Sequence, residues 1–247
     1  MSQEQKTYGL IGKNIGYSFS KNYFLDKFLK KNMENCCYKN FDLESINNLG
    51  EVLKTPSLKG LNITIPYKEK AIKYLNEIDY DAKQIGAINT IKVNIDNTLI
   101  GYNTDYIGFI KSIKPHINSS HKKALILGTG GASKAIAYAL EKLNIEAKKV
   151  SRKKVNEEIT YLELDEEKIN DCQIIINTTP LGTFPDIENY PDIPYEYITK
   201  KHICYDLIYN PNETVFLKKS KQNKAFIING LNMLKIQAEE SWKIWNN

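Results

Sequence analysis

The chain reads as an α/β protein, and three observations predict it. Short apolar runs alternate with amphipathic stretches along nearly the whole length. One run, Ala124-Leu125-Ile126-Leu127, opens a strand–turn–helix unit through Gly128-Thr129-Gly130-Gly131-Ala132-Ser133. Its helix carries apolar positions at Ala135, Ile136, Ala139, Leu140 and Leu143. In such a unit the glycines let backbone N–H groups approach a pyrophosphate at the helix N-terminus. The third observation is where the second strand ends, Lys149-Val150-Ser151-Arg152-Lys153-Lys154, with no carboxylate before Glu157. Arg152 is the only arginine in the chain. An acid there would bind the ribose hydroxyls of NAD, whereas an arginine accommodates the 2′-phosphate of NADP. The reading is NADP.

The elements follow in order. Tyr8-Gly9-Leu10-Ile11-Gly12 predicts a strand and a glycine turn, and Lys21–Lys31 a helix with Tyr23, Phe24, Phe28 and Leu29 inward. Ser20 is placed to cap that helix. Cys37–Phe41 predicts a strand, Leu43–Leu53 a helix, and Leu58–Pro66 a strand closed by a proline that cannot donate to a ladder. Helical periodicity recurs over Lys68–Leu75 and Asp79–Ile85. Asn89–Ile95 and Thr98–Tyr102 bracket Asp96-Asn97 as a hairpin. Thr104–Ile113 predicts a connecting helix. Beyond the glycine turn come strands at Gln173–Asn177 and His202–Leu207, with an irregular proline-rich stretch, Pro180–Pro194, between them. A helix over Glu213–Gln222, a strand at Ala225–Ile228 and a helix over Leu231–Trp245 complete the prediction.

Composition narrows the function classes. The 247 residues, 42% hydrophobic and 26% charged, suit one large or two modest domains with their own cores. No apolar run approaches the ~20 residues that span a bilayer, and Met1–Lys6 leads straight into a strand, so the cytoplasm is expected. The net charge of +5 is spread over lysines without aromatic interleaving, which predicts no nucleic-acid partner. Cys36, Cys37, Cys172 and Cys204 are expected as reduced thiols, and no Cys/His spacing suggests a metal. His116, His121 and His202 read as solvated residues at element boundaries. The chemistry is expected to run without histidine or metal.

Polar residues cluster where apolar strands end, the place α/β folds bind ligands. The clusters are Gly16-Tyr17-Ser18-Phe19-Ser20, Asn62-Ile63-Thr64-Ile65-Pro66-Tyr67-Lys68, Gly86-Ala87-Ile88-Asn89-Thr90 and Gly101-Tyr102-Asn103-Thr104-Asp105. Capping and turn chemistry would account for each alone. Together with Gly9–Gly12, Gly128–Ser133, Ile176–Gly182, Tyr205-Asp206-Leu207-Ile208-Tyr209 and Asn229–Ala238, they resemble the ordered motifs of shikimate dehydrogenases across nearly the whole chain.

That resemblance implies an N-terminal mixed-sheet α/β substrate domain, a Rossmann-type NADP-binding domain, and a terminal helix returning to the first. The implied boundaries are 1–104 with 230–247, and 105–229. It implies reversible, NADPH-dependent reduction of 3-dehydroshikimate to shikimate, in a monomer or homodimer. Lys68 and Asp105 would be the catalytic pair. Ser18, Ser20, Asn62, Thr64, Asn89, Tyr209 and Gln237 would join them at the substrate. Gly128, Thr129, Gly130, Gly131, Ala132, Ser151, Arg152, Lys153, Thr178, Leu207 and Gly230 would line the cofactor. Tyr17 and Lys21 stand where the family usually flanks the serines with histidine and proline, and Lys153 stands in place of threonine.

Elementary chemistry supports the pair. Hydride delivered to a ketone leaves an alkoxide, which needs a proton or a cation. A lysine supplies either, and a carboxylate can orient it. Two further readings fit the same residues: a dehydrogenase of this family that also accepts quinate or NAD, and a non-catalytic regulator binding NADP or a shikimate-like ligand.

Overall fold

The computed structural model describes residues 4–16, 18–154 and 158–247. Tyr17, beside the paired serines, and Glu157, after the basic cluster, lie outside the described residues. In chain order the elements begin β1 (Lys6–Gly12), α1 (Phe19–Lys30), β2 (Cys36–Asp42), α2 (Leu49–Leu53), β3 (Leu58–Ile63), β4 (Glu77–Ile78), α3 (Tyr80–Ile85), β5 (Thr90–Val93) and β6 (Leu99–Tyr102). They continue with α4 (Asp105–Ile113), β7 (Lys123–Leu127), α5 (Gly131–Lys142), β8 (Glu146–Ser151), β9 (Ile159–Thr160) and α6 (Glu166–Asp171). The last are β10 (Ile174–Asn177), β11 (Ile203–Asp206), α7 (Val215–Gln222), β12 (Phe226–Ile228) and α8 (Leu231–Asn246). The chain divides into residues 1–104 with 237–247, and residues 105–236, so the division falls inside α8.

The first unit holds a mixed sheet in the order β2-β1-β3-β5-β6-β4. β1 runs parallel to β2 and β3, and β5 is antiparallel to both β3 and β6. Each face buries its own cluster. One gathers Leu49, Val52, Leu61, Ile63, Ile88 and Ile91. The other is aromatic, with Tyr8, Phe24, Phe28, Tyr38 and Trp245 under the C-terminal part of α8. A Cβ on Gly60 would sit 2.2 Å from the Trp245 ring, so β3 needs glycine where the indole crosses it.

The second unit holds a parallel sheet in the order β12-β11-β10-β7-β8-β9. Read from β9 this is the doubly wound order, with the reversal between β7 and β10. β10 is buried throughout, as the run Ile174-Ile175-Ile176 requires. Apolar clusters cover both faces, one around Leu125, Ile175 and Phe216, the other around Phe109, Ile136 and Tyr205.

Several expectations are corrected. The helix expected over Leu43–Leu53 is only a 3₁₀ turn, Ile46–Asn48, followed by the short α2, because Ser45 stops the strand exit and accepts from the Asn47 N–H. Lys68–Leu75 yields a 3₁₀ turn, Lys70–Tyr74, because the chain must re-enter the sheet at β4. The strand expected to reach Pro66 ends at Ile63. β4, β9 and α6 were not anticipated; α6 buries only Ile169, too little periodicity to read. His202 is buried instead of solvated, accepting from the Thr199 N–H at Nδ1 (2.9 Å) and meeting the Ile169 carbonyl at Nε2 (3.0 Å). That places its proton on Nε2.

Candidate active site

Strand ends of the first unit carry the polar residues singled out above. Ser18, immediately before α1 in extended conformation, accepts from the Lys21 N–H through its hydroxyl (3.4 Å). It takes the capping role expected of Ser20, which instead lies buried in the first helical turn. The Ser20 hydroxyl meets the phenol of Tyr38, whose pKa burial pushes well above the ordinary tyrosine value against that contact. Thr64 is anchored by its N–H on the Ile11 carbonyl (2.8 Å), and a Cβ on Gly12 would lie 2.5 Å from its methyl group. Lys68 is half-buried, and its carbonyl accepts from the Ile88 N–H (2.8 Å). That bond ties the loop after β3 to the segment entering β5. Gly86, left-handed at φ +70°, ends α3 and starts that segment.

Asn89 is the centre of a buried polar network. Its Oδ1 accepts from the Thr104 N–H at 2.7 Å and from the Thr90 hydroxyl at 3.0 Å. Its Nδ2 donates to Thr104 Oγ1 (2.9 Å) and to Gln237 Oε1 (3.2 Å). Asn62 was expected at the substrate. Both ends of its amide are engaged within the protein: Oδ1 accepts from Tyr38 (2.8 Å), and Nδ2 donates to Ser241 Oγ (3.0 Å) and the Asn89 carbonyl (3.3 Å). Asn62, Asn89, Thr90, Thr104, Gln237 and Ser241 are all buried. A polar cluster this buried is stable only when its members satisfy one another.

In the second unit Asp105 is buried and begins α4, where the helix dipole favours a carboxylate. The glycine turn follows β7. Gly128 has φ +112°, a conformation L side chains rarely adopt, and its ideal Cβ would lie 2.8 Å from Thr178 Oγ1. α5 starts after Gly130 with no side-chain cap and no acid in its first turn. A helix start of this kind is suited to an anion. Ser133 replaces the usual third glycine by turning inward, buried, its hydroxyl on the Gly130 carbonyl (2.8 Å). Thr129 and Gly130 are exposed, Gly131 and Ala132 half-buried. At the end of β8, Ser151 is buried and donates to the Lys153 carbonyl, while Arg152 and Lys153 stand exposed. An uncapped helix start, open space around Gly130 and two cations beyond the second strand fit a dinucleotide carrying an extra phosphate.

Across the switch point, Thr178 donates to the Leu127 carbonyl through both its N–H (3.0 Å) and its hydroxyl (2.7 Å). A Cβ on Gly230 would lie 2.0 Å from the Leu207 carbonyl oxygen, so the two backbones meet only with glycine there. Tyr209 is half-buried in the segment after β11.

Sequence reasoning assigned no role to the residues that hold these groups. Thr90 and Ser241 complete the Asn89 network, and no local pattern marks a serine on a helix face as a bridge. Asp206 is the counterpart in the second unit. It accepts from Thr214 Oγ1 (2.6 Å), Asn177 Nδ2 (3.1 Å) and the Ile208 N–H (3.0 Å). Burial pushes its carboxyl up to about 6 against those three donors. Among the described residues no group of three or more His, Cys, Asp or Glu side chains is placed to hold a metal ion, and no helix is long and apolar enough to cross a membrane.

Residues 10–91 match the family model of the shikimate dehydrogenase substrate-binding domain. Over 97% of its length the chain is 42% identical to the shikimate dehydrogenase (NADP(+)) of Clostridium botulinum, covering 96% of that protein. Its structure is similar to that of shikimate dehydrogenase 1 from Peptoclostridium difficile, with TM-score 0.85 and 38% identity over 98% of this chain and 92% of the other. It is also similar to the shikimate 5-dehydrogenase of Thermus thermophilus in complex with NADP(H) and shikimate, with TM-score 0.86 and 27% identity over 98% and 93%. The chain belongs to the shikimate dehydrogenase family.

Proposed function

We propose that this protein catalyses the NADP-dependent, reversible interconversion of 3-dehydroshikimate and shikimate, with Lys68 and Asp105 as the catalytic pair. One joint observation carries the reading. A single chain holds an uncapped glycine helix start followed by Arg152-Lys153, and a buried Asn/Thr/Gln network on the unit that bears Lys68. The relatives named above supply the substrate class.

On the cofactor side, the N–H groups of Gly130, Gly131 and Ala132 would hold the pyrophosphate. Ser151, Arg152 and Lys153 would hold the 2′-phosphate. Gly128, Thr129, Thr178, Leu207 and Gly230 would shape the remaining wall. NADPH supplies a hydride to the keto carbon when bound, and NADP+ accepts one in the reverse direction.

The chain's own residues bind, orient and move a proton. Ser18 donates a hydrogen bond to the substrate carboxylate, with Ser20 beside it and Tyr209 nearby. Thr64 and Gln237 fix the ring hydroxyls, and Asn89, its amide filled by Thr104, Thr90 and Gln237, holds Gln237 to them. Asn62 holds its neighbours in place rather than touching the ligand. As the keto oxygen gains negative charge, the Lys68 ammonium stabilises it and gives it a proton, completing the alcohol. In the oxidation the Lys68 amine takes that proton back. Asp105 orients the ammonium and the reacting hydroxyl. The thiols of Cys36, Cys37, Cys172 and Cys204 are free, as suits an enzyme of the cytoplasm.

Purified protein mixed with shikimate and NADP+ tests the reading directly. Reduced nicotinamide should accumulate in proportion to shikimate consumed. Tight binding of both ligands without turnover would instead support a regulator.

A further inference from the structure

Beyond the residues assigned to the substrate, we infer that Ser241 is a positioning residue for the reaction, setting the height of the Gln237 amide proposed to meet the substrate hydroxyls. The inference rests on the substrate assignment proposed above.

Hydrogen-bond direction carries the argument. A backbone N–H can only donate, so the Thr104 N–H at 2.7 Å fixes the Asn89 oxygen toward itself. The Asn89 nitrogen must then face the other way, toward Gln237 Oε1 at 3.2 Å. That in turn makes the Gln237 oxygen the end of its amide turned toward Asn89 and the nitrogen its donating end. Thr90 gives its one hydroxyl proton to the Asn89 oxygen (3.0 Å), so Thr90 Oγ1 accepts from Ser241 at 2.7 Å. Ser241 Oγ accepts from Asn62 Nδ2 (3.0 Å), and the Asn62 oxygen accepts from Tyr38 (2.8 Å). The donors thus run one way, from Tyr38 through Asn62, Ser241, Thr90 and Asn89 to Gln237.

Ser241 is the link in this chain that sits on the same helix as its end point. It stands one turn beyond Gln237, whose carbonyl oxygen at 3.0 Å shares the Ser241 hydroxyl proton with Thr90, and its Oγ lies 3.3 Å from Thr104 Oγ1. Its hydroxyl is fully buried, as is that of Thr90. The contact therefore locks the helical turn bearing Gln237 to β3 through Asn62 and to β5 through Thr90. Without it, the height of Gln237 over β5 is not enforced, although the sense of its amide is still set by Asn89.

The expected signature separates positioning from general packing. Contacts to ring hydroxyls act on substrate and transition state alike, so their loss raises KM more than it lowers kcat. Ser241→Ala and Thr90→Val, which is isosteric but lacks the hydroxyl, should each raise the KM for shikimate about tenfold, the scale of one buried hydrogen bond. In both, kcat and the KM for NADP+ should stay within about twofold to threefold of the parent, because Lys68 and the cofactor turn are untouched. Thr90→Ser keeps the hydroxyl and should restore the parent KM. The double variant should be scarcely worse than either single one, since both break the same chain.

Gln237→Leu, measured alongside, distinguishes two failures. If it leaves the shikimate KM unchanged, the substrate assignment fails and this inference with it. If it raises KM while Ser241→Ala and Thr90→Val do not, the inference alone is overturned. A lowered thermal midpoint with unchanged KM in those two variants would likewise assign Ser241 to stability only.

Discussion

Trp245 donates its indole N–H to the Ile91 carbonyl at 3.0 Å, joining residues 154 positions apart in the first unit. The same ring stacks on Tyr8 at 5.0 Å and fills the space above Gly60. The end of α8 is thereby fastened across β3 and β5, a few turns from Gln237. Trp245→Ala should destabilise the fold by about 3–5 kcal/mol, measured by urea unfolding. Trp245→Phe should cost less, since it keeps an aromatic ring while losing the N–H bond and the part of the indole over Gly60. A cost below about 1 kcal/mol for the alanine variant would show that α8 is held elsewhere.

Asp206 predicts an unusual pH dependence. Its carboxyl is fully buried and raised from 3.8 to about 6, with burial the largest cause. A raised acid means that the folded state binds the proton more tightly than the unfolded chain. The stability it confers is therefore fullest below about 4, and is lost as pH rises from there through about 6. The loss is on the order of 3 kcal/mol. Asp206→Asn keeps an acceptor for Asn177 and the Ile208 N–H, and can donate to Thr214. It should flatten the stability profile across that window and equal or exceed the parent at neutral pH. Unfolding titrations that leave the parent and variant parallel would contradict this.

Arg152 should set cofactor preference. Arg152→Ala removes the guanidinium assigned to the 2′-phosphate, and should raise the KM for NADP+ by about 10- to 100-fold, the range of a charge-assisted hydrogen bond. The KM for NAD+ should change little, so the ratio of kcat/KM values falls accordingly. An equal effect on both cofactors would place Arg152 outside the phosphate site.

Local chemistry was legible in the sequence where it is local in space. The β7–α5 glycine turn, the basic end of β8 and the hairpin around Asp96-Asn97 need only neighbouring residues. The edge of the mixed sheet was not: β4 is two residues long, and its pairing with β6 depends on a loop closure no periodicity records. The site divides the same way. Asn89 and Gln237 lie in short motifs, but their contact spans 148 residues, and the Ser241 hydroxyl that supports both looks from sequence like any polar helix position. Asp206 was visible as a strand-end acid. Its burial was not, because burial is made by Asn177 and Thr214 arriving from other segments. His202 was misread for the same reason, its partners Thr199 and Ile169 being supplied by the fold.

The most direct measurement is kcat/KM for shikimate oxidation by Lys68→Ala, with shikimate affinity measured separately. Positioned proton transfer contributes about 10²- to 10⁴-fold, so the variant should lose about 3–5 kcal/mol in kcat/KM while still binding both ligands. A loss below about threefold would remove Lys68 from the proton-transfer role.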